Sequence, residues 1–223
     1  MTENCPVTYK LWVSALLIAV VIGALTTFAY MGTNDALKDS VRQGMKSTAA
    51  VMATQINASD LADIGPGDES SPRYLAVVRQ LRTMRSLDDN VINAYILKVN
   101  PDLTATFLVD DLMIDDPAGS ARIGEVSTSP DKMEIFTALS VPTASREPYT
   151  TKYGSFMSAY APIDDTTNDS TGNTYAVLAI DMSASDYNAA TSKGGLILVT
   201  GILSLLIALG SLFVCGRKGK EKN

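Results

Sequence analysis

The chain has 223 residues, with 18 Lys/Arg against 24 Asp/Glu, two cysteines and no histidine. The net charge of −6 disfavours nucleic acid or anionic lipid as a partner. With no histidine, His-based triads, histidine zinc sites and a phospho-accepting histidine are excluded on this chain.

Residues 1–10 are a short segment with only Glu3 and Lys10 charged, expected to be cytoplasmic. Residues 11–31 form an uncharged apolar run, long enough to cross a hydrocarbon core of about 30 Å as a helix. Thr27-Phe28-Ala29 would serve as a signal-peptide cleavage site. The run is nevertheless longer than the ~7–15 residues of a signal core, so an anchor is expected. Ala15, Ala19, Gly23 and Thr27 recur every four residues, a small-residue stripe suited to close helix contact within or between chains.

Residues 32–193 carry 13 Lys/Arg and 22 Asp/Glu, a net of −9, which suits an exported soluble domain. A helix should continue to about Ile56, with Val41, Met45, Thr48, Met52 and Gln55 at 4-3-4-3 spacing. That stripe either packs on its own domain or pairs two subunits in a homodimer. Gly65-Pro66-Gly67-Asp68 breaks the chain, and Tyr74, Val77, Val78, Leu81 and Met84 give a second helix over about 72–87.

The period then changes to two. Val91–Val99 and Thr104–Val109, around Asn100-Pro101-Asp102, read as a β-hairpin. Asp110–Ser120 is an acidic loop. Asp110-Asp111 and Asp115-Asp116 lack the spacing, glycine and terminal Glu of a calcium loop, so they read as solvated carboxylates. A short helix is expected over about 130–139, with Ser129 as N-cap. Ser155–Ile163 and Thr174–Met182 are two further strands around the polar loop 164–173. Ser183 and Asp186 make a capping box for an exit helix. Asn57-Ala58-Ser59 and Asn168-Asp169-Ser170 are sequons, meaningful where glycosylation machinery exists.

Residues 194–215 form a second uncharged apolar run, followed in 216–223 by Arg217, Lys218, Lys220 and Lys222 against Glu221. By the positive-inside rule that end is cytoplasmic. The expected topology is two-pass in the cell membrane, with both termini cytoplasmic and the central domain extracytoplasmic. Cys5 and Cys215 then both fall at cytoplasmic ends, leaving the exported domain to fold without a disulfide.

Strands paired as hairpins, with helices set to one side, make an α+β domain with a mostly antiparallel sheet of about five strands. Tyr153-Gly154-Ser155-Phe156-Met157-Ser158-Ala159-Tyr160-Ala161-Pro162-Ile163 is followed by a turn and by Val177-Leu178-Ala179-Ile180-Asp181. This order resembles the last two strands of extracytoplasmic Cache domains, the PAS-like sensors of bacterial and archaeal receptors. Phe107-Leu108-Val109-Asp110 and Arg122-Ile123-Gly124-Glu125 stand where that family has its hairpin end and lid loop. The resemblance covers about 33–190, including the long first helix. It departs just before Tyr153-Gly154, where Thr151-Lys152 replaces the acid that such sensors often carry.

The resemblance implies a small-molecule pocket between the sheet and its covering segment. Alternation sends Phe156, Ser158 and Tyr160 to one face of their strand and Met157, Ala159, Ala161 and Ile163 to the other. Tyr95 and Tyr153 are candidates to join the first face, or are core residues with hydroxyls reaching solvent. Asp181 either receives an amine or hydroxyl of a ligand or caps the exit helix. Arg122, the only cation between Asp110 and Asp131, either clamps a carboxylate ligand or pairs with a neighbouring acid.

The expected function is a membrane-anchored sensor of a small solute. With no output module in the sequence, it would signal through a separate cytoplasmic or membrane partner. The alternative is a ligand-free membrane interaction protein or a truncated receptor remnant. No cofactor, no metal and no catalytic residue is expected: without histidine, an exported cysteine or a phosphate loop, only carboxylates and hydroxyls remain.

Overall fold

The computed structural model describes residues 5–100, 102–164, 176–192, 195, 199–206 and 210, with only the backbone described for 5–12 and 15. The chain divides into two compact units, Asp39–Ala189 and the terminal segments Met1–Lys38 with Ala190–Asn223. The loop at 165–175, the sequon at Asn168, Cys215, the tail and most of the second apolar run lie outside the described residues.

The first helix, α1 (Cys5–Ala53), is one unbroken element. Among the described residues it supplies the one stretch long and apolar enough to cross a membrane. Its Leu16, Leu17, Val20, Val21, Leu25, Phe28 and Met31 side chains are all more than half exposed. Within the terminal unit, a Cβ placed on Gly201 would come 2.2 Å from Thr26 Cγ2, so the Thr26 side chain packs directly on the Gly201 backbone. At Gly23 a Cβ would meet nothing within 4 Å. Thr26 neighbours Thr27 of the small-residue stripe in sequence. Ala19 is half-buried, and the side chain of Ala15 lies outside the described residues.

In the central unit, α2 (Pro72–Arg85) starts at Ser71, whose Oγ accepts the Tyr74 N–H, with Pro72 in the first turn. The strands are β1 (Asn93–Val99), β2 (Ala105–Asp110), β3 (Thr143–Ala144), β4 (Tyr149–Thr151), β5 (Gly154–Pro162) and β6 (Ala176–Ser183). Their order is β2-β1-β6-β5-β3, with β4 also pairing β5, and every pairing is antiparallel. There are six strands rather than about five, because the edge beside β5 is split into the short β3 and β4. A short helix, α3 (Lys132–Thr137), precedes β3, and α4 (Ala184–Thr191) follows β6.

The predicted N-cap of α3 is corrected. Asp131 occupies the cap, with no side-chain cap bond, while Ser129 Oγ, two residues earlier, accepts the Asp131 N–H. At α4, Ser183 Oγ accepts the Asp186 N–H at 3.0 Å, as the capping pattern predicts.

Both faces of the sheet are covered, which explains why β5 and β6 are buried along nearly their whole length. On one face Ala94, Ile96, Met157, Ala159, Leu178 and Ile180 pack under α1 and α2, against Met45, Ala49, Met52, Tyr74, Val77, Val78 and Leu81. Met45 and Met52 are 5% and 6% exposed, and Val41 packs partly buried against the same cluster. The helical stripe thus packs on the domain's own core, the first of its two readings. On the other face Tyr95, Leu97, Phe107, Tyr160, Val177 and Ala179 pack with Ile135 and Ala138 from around α3.

β2 carries a β-bulge: Ile96 pairs with Val109, but Leu97 pairs with Phe107, leaving Leu108 extra. The bulge resets the alternation. Phe107 and Asp110 therefore share one face although three residues apart, and Asp111 turns to the other.

Candidate functional site

The second face does not fill. A cleft of about 650 Å³ opens between β1, β2, β4, β5 and β6 and the loop at 116–129. Tyr95, Phe107, Tyr149, Tyr153 and Phe156 line it with Asn93, Asp110, Asp116, Arg122, Glu125, Lys152 and Asp181. Charged and hydroxyl side chains outnumber the rings in this wall, so the cleft is predominantly polar.

Asp181 sits on β6 directly across from Asn93 of β1 and Ser158 of β5. It is 3% exposed and does not cap a helix, so the capping reading is corrected. Its Oδ1 accepts from Ser158 Oγ at 2.5 Å and from Tyr95 OH at 3.2 Å; among the described residues its Oδ2 accepts only a long 3.4 Å bond from Asn93 Nδ2. All three donors are neutral. Among the described residues no cation pairs with it. Burial raises its carboxyl to about 7 against the pull of those three bonds.

Ser158 and Tyr160 are fully buried and stand behind the cleft rather than in its wall. They join a chain of hydroxyls. Ser158 Oγ and Tyr149 OH are 2.7 Å apart, Tyr149 OH and Tyr160 OH 3.2 Å, and Tyr160 OH donates to Asp131 Oδ2 at 3.1 Å. The chain thus runs between two buried carboxylates, Asp181 and Asp131. Burial raises Asp131 against bonds from Ser145 and Tyr160, and pushes the Tyr95 and Tyr160 phenols well above their usual value.

Asp110 and Asp111 are buried, not solvated as the sequence suggests. Asp110 accepts the Ala121 and Leu112 N–H groups at 2.7 and 2.9 Å, which ties the covering loop to the end of β2. Burial still lifts it to about 6. Asp111 pairs with Arg85 of α2 on the opposite face.

At the rim Lys152 Nζ sits 2.8 Å from Glu125 Oε1 and 4.8 Å over the Tyr153 ring, whose hydroxyl donates to the same carboxylate. Burial pulls Glu125 upward, but the bonds from Lys152 and Tyr153 prevail and leave it lowered. Arg122 is exposed at the rim, and its guanidinium makes no ion pair among the described residues. The Glu125 carboxylate meets Arg122 at its backbone N–H, at 3.4 Å, and not at its guanidinium.

Of the six sequence-predicted residues, Tyr95, Arg122, Tyr153 and Asp181 line the cleft, and Ser158 and Tyr160 support it from behind. Sequence reading missed Asn93, Asp131, Ser145 and Tyr149. Tyr149 lies on a three-residue strand too short to show a period, and Asn93 becomes visible only once its register with Asp181 is known.

No family model and no curated protein matches the sequence. Solved structures do. The ligand-binding domain of the Campylobacter jejuni chemoreceptor Tlp3, in complex with L-valine, is 13% identical, with 86% of this chain and 69% of that one covered and a TM-score of 0.42. The E. coli DcuS sensor domain is 10% identical, over 71% of this chain and 99% of that one, at 0.48. The periplasmic domain of RsbU from Chlamydia trachomatis is 11% identical, over 82% and 58%, at 0.49. These three are, by description, a ligand-binding domain, a sensor domain and a periplasmic domain. At these identities and scores nothing is carried over from those proteins, and the chemistry is read from this chain's own cleft.

Proposed function

We propose that this chain is a membrane-anchored extracytoplasmic sensor whose cleft binds a small polar solute bearing a protonated amine. The observation that carries the reading is Asp181, a buried carboxylate at the cleft floor held by neutral donors alone. A buried charge without a partner is costly and is relieved either by a proton or by a cation from outside. Its under-bonded Oδ2 leaves an acceptor for an ammonium N–H. The surrounding aromatic rings favour a cation further, and Arg122 at the rim supplies a complement to any carboxylate the solute also carries.

The exposed apolar stretch of α1 supports anchoring, and the basic tail supports a second span with both termini cytoplasmic. Homodimerisation in the membrane would use the terminal helices, since the Met45/Met52 face is spent in the core. Output passes to a separate partner, and the domain itself is read as non-enzymatic. The ligand-free alternative calls for a cleft filled by its own side chains, so the open volume weighs for the sensor.

The test is a thermal-shift screen of the full chain in detergent micelles against small amines, amino acids and carboxylates of matched size. A stabilising amine whose effect vanishes in Asp181→Asn supports the reading. Stabilisation by carboxylates alone, or by nothing, overturns it.

A further inference from the structure

Ser145 touches no part of the cleft, yet it joins the cleft floor to the first helix. It follows β3 at the sheet edge and is fully buried. Its N–H donates to Ser158 O at 2.8 Å, and its Oγ accepts the Ser158 N–H at 3.0 Å, so it grips both backbone groups of the residue that holds Asp181. The Ser145 hydroxyl proton goes to the Asp131 carboxylate, with Ser158 O as the more distant acceptor at 3.1 Å. On its other side, the Ser145 carbonyl accepts from Arg42 Nε of α1 at 2.9 Å. Arg42 is held in turn by Asp39, one turn back along the helix, at 3.4 Å.

The path is continuous: Asp181 Oδ1, Ser158 Oγ, the Ser158 backbone, Ser145, Arg42. Each step between residues is a polar contact within hydrogen-bond range, and the inner members are sealed from water, where such bonds are strong and leaving one unmade is costly. β3 is a two-residue edge strand, paired only through Thr143 to Tyr160 and Ala144 to Ala159.

We propose that Asp181 and Arg42 are energetically coupled through Ser158 and Ser145, so that a change at the cleft floor is felt on α1. Ser145 acts as a positioning residue: it fixes Ser158, and Ser158 fixes the Asp181 carboxylate. Its use as a signalling route rests on the sensor reading, whereas the coupling itself does not.

Hydrogen-exchange mass spectrometry on the full chain in detergent micelles, at constant pH and without ligand, tests this. Four proteins form a cycle: wild type, Asp181→Asn, Arg42→Met and the double variant. Arg42→Met keeps the aliphatic stem of a partly exposed side chain and removes only the donor, so the fold survives. Asp181→Asn should change exchange in α1 peptides covering 39–53 by about threefold or more in wild type and leave them unchanged in the Arg42→Met background. Arg42→Lys, which still offers a donor to Ser145, should restore the response. If Asp181→Asn fails to fold, Ser158→Ala cuts the same link and takes its place in the cycle. An α1 that ignores the cleft-floor change, or responds equally in both backgrounds, overturns the coupling. Because no ligand is added, a chain that shows the coupling yet gains no stability from amines keeps this inference and loses the sensor reading.

Discussion

Arg85 of α2 donates from Nε to Asp111, a carboxylate with no solvent exposure, on the helix-packed face of the sheet. The other Asp111 oxygen accepts the Ala94 N–H at 3.1 Å, so the pair ties α2 to β1 across the end of β2. Burial pushes the Asp111 carboxyl up despite the guanidinium beside it. Arg85→Met should therefore be among the most damaging single changes, because it strands a buried acid. The expected loss is about 3–5 kcal/mol, read as a fall in urea midpoint. Replacing both partners with apolar residues should recover much of it.

Stability should also depend on pH through Asp181. Its folded-state carboxyl titrates at about 7, above the ordinary carboxylate range, so between those values the folded state holds a proton that the unfolded chain releases. The contribution is fully present below pH 4 and is lost as pH rises towards 7. Melting curves of wild type and Asp181→Asn should thus diverge in slope between pH 4 and 7, with the asparagine variant falling less. Parallel curves would show that Asp181 is not buried as a neutral acid.

Amine affinity should run the opposite way. An ammonium pairs with the ionised carboxylate, so below pH 7 binding must expel the proton. Affinity should rise about tenfold per unit up to pH 7 and flatten above it. At a hundred times Kd the stabilisation would be about 2.7 kcal/mol. Calorimetry in two buffers of different ionisation enthalpy would reveal the released proton directly.

Gly154 has φ +140°, and a Cβ there would meet the Phe156 ring at 2.6 Å. Gly154→Ala should cost about 1–3 kcal/mol through backbone strain. It should also displace Phe156 from the cleft wall, weakening ligand response beyond the loss in stability. A variant that melts and binds like wild type would remove Phe156 from the site.

Topology is checked in intact cells. Protease outside should digest residues 32–193, while a tag after Asn223 stays protected. A tag accessible from outside would reverse the positive-inside assignment.

The sequence made the helices and long strands legible wherever a period ran for seven or more residues, as along Tyr74–Leu81 and Gly154–Pro162. It also sorted Phe156, Ser158 and Tyr160 from Met157 and Ala159, because β5 alternates without interruption. It failed where a contact depends on register. Asn93 meets Asp181 only because β1 pairs with β6, far away in sequence, and Ser145 follows a strand of two residues. The acids at 110 and 111 looked solvated because adjacent charges in a polar stretch usually are. Their burial depends on backbone donors and an arginine that composition does not reveal.

The extra residue at Leu108 has a consequence for how this strand tolerates change. Two neighbouring aspartates are sent to unlike environments, Asp110 to the cleft and Asp111 to the packed interior, by the phase reset that one insertion creates. A slip that erased the bulge while keeping every amino acid would trade their places, presenting Asp111 to solute and turning Asp110 toward the face where Arg85 lies. In β2, then, chain length acts as an instruction of its own. Substitution at Asp110 should leave its mark in binding, substitution at Asp111 in melting, and a one-residue insertion or deletion beside Leu108 in both.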